Sequence, residues 1–171
     1  MPYTELLLGA GNSRQKGLAL PGRESWENLI TLDIDPNSRP DVLHDLNSNH
    51  MPFSDNSFDE IHAYEVLEHI GRQGDWRGFF AEFSEYWRIL KPDGILAGSC
   101  PSLESRWLWG DPGHTRAISQ ETLIFLSQRQ YAAQVGKTPM TDYRAVYKAD
   151  FELVHSQMDG ERYFFMLKAI K

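Results

Sequence analysis

Seven short runs and the gaps between them set the strongest limit on how this chain can fold. Five of them, Glu5–Leu8, Leu29–Asp33 and residues 41–44, 60–64 and 95–98, are joined by connections too long for hairpins. Short apolar runs in that setting are the signature of parallel strands buried on both faces. Two more runs, 151–158 and 162–170, flank Asp159-Gly160. Asp-Gly between such runs signals a hairpin, because both positions tolerate positive φ. A parallel sheet that ends in a hairpin must contain one reversed strand. The predicted class is α/β: an open, mostly parallel seven-stranded sheet with a reversed C-terminal strand in a terminal hairpin.

The clearest helix spans 75–90. Asp75 is its N-cap, and Trp76, Phe79, Phe80, Phe83, Trp87 and Leu90 form one apolar stripe with helical spacing. Lys91-Pro92-Asp93-Gly94 ends it, and Ile95 opens the next strand. A second helix is expected from Ser119 to about Arg129, and a short third one near Leu67. Between Gly11 and Asn28 lie Gly17, Pro21 and Gly22, so any crossover helix there is short or absent. The 171 residues form one predicted domain, with no repeat and no linker. Segments 102–118 and 131–149 are candidate acceptor-site or lid segments. The formal net charge of -7 argues against a broad nucleic-acid surface. The lone Cys100 fits a reducing compartment. No apolar run reaches the length of a membrane span and no leader pattern stands at the start, so the expected location is cytoplasmic.

In open α/β sheets, ligands bind beyond the carboxyl ends of the strands. Here those ends carry Gly9-Ala10-Gly11, then Asp33-Ile34-Asp35, then Asp45-Leu46-Asn47, then Glu65, Glu68 and His69. Arg14 stands where a G-x-G-x-x-G loop would have its third glycine, so the pyrophosphate fingerprint is incomplete. Three acidic strand ends also repel phosphate. They suit a ligand that offers ribose hydroxyls, an exocyclic amine and a positive charge. S-adenosylmethionine has these groups and no phosphate.

At these positions the chain resembles the class I S-adenosylmethionine-dependent methyltransferases, close to the type 11 group, whose sheet is Rossmann-like. The matching stretches are LLLGAG at 6–11, LDID at 32–35, HDL at 44–46, MPFSDNSFDEIHAYEVLEHI at 51–70 and ILKPDGILAGSCP at 89–101. The resemblance implies that Gly9 and Gly11 line the methionine part of the cofactor. It implies that Asp33 holds the ribose hydroxyls, with Ile34 against the adenine. Asp45 and Leu46 would contact the adenine edge, and Glu65 would stand beside the cofactor. Two positions depart from the family pattern: Leu7, where an acid is usual, and Ser13, where a third glycine is usual.

The acceptor side is sought in WLWGDPGHTR at 107–116, which follows the fifth strand and precedes a helix. His114 is the candidate general base or acceptor-binding group, and His69 is a second candidate. The ring and carboxylate of His69 and Glu65 show no third close ligand in sequence, so no metal is expected. Glu68 and Arg72 read as an i, i+4 pair on a solvated face. Trp107 and Trp109 read as core packing before sugar stacking. Tyr143, Arg144 and Tyr147 fall in the 131–149 segment. The expected activity is methyl transfer to an oxygen or nitrogen nucleophile, with a small molecule or saccharide favoured over nucleic acid. The rival readings are an S-adenosylmethionine-binding accessory module without its own catalysis and a nicotinamide oxidoreductase. Oligomeric state is not legible.

Overall fold

A computed structural model describes residues 2–48 and 50–171. Its sheet has seven strands in the order β3-β2-β1-β4-β5-β7-β6. They are β1 (Glu5–Leu8), β2 (Leu29–Asp33), β3 (Val42–Leu43), β4 (Phe58–Tyr64), β5 (Leu90–Pro101), β6 (Phe151–Asp159) and β7 (Arg162–Ala169). The first five strands pair parallel, and β7 runs antiparallel between β5 and β6. The expected class and the reversed hairpin strand are both present.

Helix α1 (Trp76–Ile89) covers one face of the sheet. The Asp75 carboxylate accepts the Gly78 N–H at 3.0 Å and starts it. Its stripe buries Phe80, Phe83, Tyr86 and Ile89 in one core with Leu6, Leu8, Leu32, Ile61, Leu96 and Leu167. The expected second helix is broken. Short α2 (Trp107–Gly110) precedes it, and α3 (Gln120–Leu123), a 3-10 turn and α4 (Gln128–Gln134) take its place. Ser127 causes the break by capping α4: its hydroxyl accepts the Gln130 N–H. Lys91–Gly94 does not separate helix from strand. It bulges out within β5, between the pairs Phe58↔Leu90 and Glu60↔Ile95, with Asp93 at φ 60°.

Among the described residues, no helix covers the other face. Residues 12–28 cross it as irregular chain, laying Leu18 and Leu20 on Ile95, Ala97 and Met166. Beside this small apolar patch lies a buried polar cluster. Glu5 and Glu60 from β1 and β4 face Lys16, whose Nζ pairs with Glu5 and lies 3.2 Å from Glu60. His62 Nε2 is 2.7 Å from Glu60, and its Nδ1 is 2.7 Å from the Tyr64 hydroxyl. That hydroxyl accepts the Leu18 N–H at 2.9 Å. Trp26 closes edge-on over His62, with ring centroids 4.8 Å apart. Interior ion pairs and hydrogen bonds thus do the fastening that a crossover helix would otherwise do.

Candidate active site at the strand ends

A cleft of about 250 Å³ opens at the carboxyl ends of β1, β2 and β4. It is lined by Gly9, Asp33, Ile34, Asp45, Leu46 and Glu65, together with His44, Asn47, Val66 and His69. Six of the seven expected cofactor residues therefore share one cavity. The seventh, Gly11, sits on the loop above it. Gly9 adopts φ +55°, and a Cβ there would come within 2.3 Å of Val66 Cγ2. Only glycine lets the chain turn this close to the strand end.

Asp33 is nearly buried, and both carboxylate oxygens are engaged. Oδ2 accepts the Gly11 N–H at 2.7 Å and Oδ1 accepts the Asp35 N–H at 2.8 Å. It shapes the glycine loop and keeps a lone pair on each oxygen for a ligand. Asp45 accepts the Asn47 N–H at 2.8 Å through Oδ1, which fixes the turn and leaves Oδ2 free. Ile34 is 64% exposed, an apolar surface beside the cleft. Glu65 sits at φ 53° and its Oε1 accepts the Ser99 hydroxyl at 2.6 Å. Arg14 supplies what the missing third glycine would not. Its guanidinium donates to the carbonyls of Ala10 and Gly11 and, at 3.1 Å, to Ser38, tying the loop to the turn after β2. No sequence pattern announces that clamp, because its acceptors are backbone carbonyls from two separate turns.

A second cleft of about 630 Å³ adjoins the first and shares Glu65 and His69 with it. Its far wall is segment 102–118, through Ser105, Trp107, Asp111 and His114. Backbone bonds zip this segment to the turn after β4: the Thr115 N–H donates to Glu68 O at 2.8 Å and the Gln73 N–H to Thr115 O at 2.9 Å. Buried Arg116 fastens it to α1 through a two-pronged pair with Glu82, and donates through Nε to Leu67 O at 2.8 Å. His69 and His114 meet edge to face with centroids 4.6 Å apart. The two candidate histidines, 45 positions apart in sequence by their numbers, are therefore neighbours.

Three expectations need correction here. Glu68 is not on a solvated face. It is fully buried in a 3-10 turn, Leu67–His69, where i, i+4 positions do not align with Arg72. Burial, with Glu65 nearby, pushes its carboxyl above the usual range. Trp107 and Trp109 are not core residues but 53% and 62% exposed. Within the candidate lid segment 131–149, Tyr147 is a core residue: it stacks on Phe80 at 4.7 Å, and Tyr143 leans on Trp76 and Phe80. Cys100 is buried, and burial pushes its thiol well up, so it is no nucleophile.

Residues 6–98 match the methyltransferase domain family, type 11. The chain belongs to this family of S-adenosylmethionine-dependent methyltransferases. A curated relative, the sterol 24-C-methyltransferase of Pneumocystis carinii (strain B80), is 27% identical over 107 residues, covering 63% of this chain and 25% of that protein. This chain thus matches about a quarter of that relative's length. Among solved structures, the N-methyltransferase NodS from Bradyrhizobium japonicum WM9 in complex with S-adenosyl-L-homocysteine is similar, with a TM-score of 0.59 at 15% identity, over 99% of this chain and 79% of that one. A putative methyltransferase in complex with the Haloferax volcanii Trm112 activator gives 0.58 at 16%, over 99% and 83%. At such identities the structural likeness speaks for the fold. Among the described residues, no helix is long and apolar enough to cross a membrane.

Proposed function

We propose that this methyltransferase holds S-adenosylmethionine in the smaller cleft and methylates a hydroxyl or amine of a small molecule or saccharide in the larger one. The observation that carries the reading is the donor set of the smaller cleft. Its lining has three carboxylates, two apolar flanks and no lysine or arginine. That wall accepts hydroxyls and amines and repels phosphate. S-adenosylmethionine, when bound, supplies a methyl group already activated by its sulfonium.

The remaining work falls to the chain. Asp33 and Asp45 would take ribose and adenine donors, Ile34 and Leu46 would flank the base, and Gly9 and Gly11 would let the backbone approach the amino-acid part. Holding donor and acceptor in line can lower the barrier by roughly 7–11 kcal/mol in favourable cases. His69 stands on the border of the two clefts and His114 meets it edge to face on the wall of the larger one, placed to orient the acceptor. The larger cleft carries Glu65, Glu68, Asp111, Asp159 and Glu161 against one cation, Arg162. This balance weighs against a polyanionic acceptor and supports a neutral or cationic one. The exposed Trp107 offers a flat face for a sugar ring.

Titration calorimetry with S-adenosylmethionine, S-adenosylhomocysteine and NADH tests the assignment. Both adenosyl compounds should bind and NADH should not, and Asp33→Ala should weaken the adenosyl compounds by at least about 10-fold, near the value of one charge-assisted hydrogen bond. Unchanged affinity in Asp33→Ala would sink the site assignment. The rival, a binding module without catalysis, draws on the missing crossover helix; turnover of any acceptor by the isolated chain excludes it.

A further inference from the structure

We infer that Glu68, His69 and His114 form a binding site for a divalent first-row transition-metal ion, zinc-like in its ligand set, with its open position facing the larger cleft. One ligand atom from each of the three lies within 4.8 Å of the other two. His114 Nε2 is 4.0 Å from Glu68 Oε1. Ligands at about 2.0–2.2 Å from a tetrahedral ion sit about 3.3 Å apart, so the His114–Glu68 pair needs to close by roughly 0.7 Å and no pair by more than roughly 1.5 Å.

Two independent features separate this cluster from an ordinary polar contact. The first is the tautomeric state of the rings. His69 Nδ1 lies 3.0 Å from the Gly113 carbonyl and His114 Nδ1 lies 3.1 Å from the Leu108 carbonyl. A carbonyl only accepts, so each Nδ1 must carry hydrogen. Each Nε2 is then left as a free lone pair, that of His114 facing Glu68 and Asp111, which is how outer contacts prepare histidine ligands. Gly113 makes one of these bonds possible: a Cβ there would stand 3.3 Å from His69 Nδ1. The second feature is Glu68. The residue is fully buried, yet neither carboxylate oxygen has a hydrogen-bond partner. The Cys100 thiol beside it is at most a weak neutral donor and supplies no cation. A buried carboxylate with no partner is costly and calls for a cation.

A protonated His114 does not answer that need. Its Nε2 is 4.0 Å from Glu68 and 3.8 Å from Asp111, beyond hydrogen-bond reach of either. A metal ion reaches all three donors at once, with Asp111 near enough to join or to orient a water. Two imidazoles and one carboxylate favour zinc, cobalt or manganese over magnesium or calcium, which take oxygen sets. The open position would take an oxygen of the acceptor, and that role rests on the methyl-transfer reading. The ion site itself stands apart from it.

The test is titration calorimetry of the chelator-treated chain with Zn2+, with Co2+ absorption as a report of coordination. One Zn2+ per chain is expected, weakened at least about 100-fold in Glu68→Gln and in His114→Ala, since loss of a ligand should cost no less than loss of an outer contact. His50→Ala should bind as the parent does. If one variant fails to fold by circular dichroism, the other carries the result. No zinc binding, equal binding by the variants, or displacement by an equal concentration of Mg2+ would overturn the proposal. S-adenosylhomocysteine is titrated into the same samples: zinc binding without it leaves the ion site standing and defeats the cofactor reading, and the converse defeats only the ion site.

Discussion

Glu5, Glu60 and His62 on the strands β1 and β4, and Glu68, His69 and His114 just beyond the end of β4, are built from the same donors and completed differently. In both, the three donor atoms lie within 4.8 Å of one another. The strand cluster is closed from within by the Lys16 ammonium, which pairs with both carboxylates and donates to the Arg23 carbonyl at 2.7 Å. Tyr3 and Tyr64 satisfy the rest. Among the described residues no Lys or Arg pairs with the strand-end cluster's Glu68, and this buried carboxylate stays unpartnered. The first arrangement stabilises a fold. The second leaves a buried carboxylate uncompensated beside the cleft where chemistry is expected.

That contrast is broken most forcefully by removing the internal cation. Lys16→Met leaves Glu5 and Glu60 facing each other in the interior, and should lower unfolding free energy by about 3–5 kcal/mol, measured by urea titration. A loss below about 1 kcal/mol would mean the cluster is not the fastening described.

Acid provides the next test. Burial raises the Glu60 carboxyl, but hydrogen bonds from His62 and Tyr3, with Lys16 nearby, outweigh it and hold the group at about 2. A group depressed in the folded state adds stability above its ordinary pKa, and that stability is lost as pH falls toward the folded value. Stability should therefore drop between pH 4.5 and about 2, by up to about 3 kcal/mol from this group. In Glu60→Gln the drop over that window should shrink. An unchanged acid profile would assign the acid sensitivity elsewhere.

The gentlest test concerns the strand-end cluster without metal. Glu68 is held above its usual range by burial, so its ionised form costs stability, and the cost grows as pH rises through the raised value. Glu68→Gln should raise the thermal midpoint of the metal-free chain at neutral pH by about 2–4 °C, as expected for roughly 1 kcal/mol in a chain of this size. The same substitution at low pH should make little difference. A lower midpoint at neutral pH would place Glu68 among structural residues.

Local patterns were readable in the sequence, and long-range pairings were not. The stripe on α1 was visible because its residues recur with helical spacing and Asp75 caps it. The Asp-Gly hairpin was visible because turn chemistry is local. The start of β5 was hidden, because Lys91-Pro92-Asp93-Gly94 looks like a terminator and is accommodated as a bulge in the strand. The path of 12–28 was hidden too, because it is set by Lys16, Trp26 and the Leu18 N–H meeting partners on β1 and β4. At the site, the acidic strand ends could be placed by counting along the strands, and six of their residues share one cleft. The burial of Glu68 could not be foreseen, because it depends on the 113–117 segment closing over it through backbone bonds.

The sheet order also has a consequence for synthesis on the ribosome. Of this sheet's seven strands β7 is made last, yet it lies between β5 and β6. Until its residues emerge, β5 presents its outer edge, including buried Leu96, Ala97 and Cys100, to whatever strand is near. An open apolar edge is a template for wrong pairing. The nascent sheet therefore stays incomplete until residues 162–169 emerge, and these act as the strand that seals it against its neighbours.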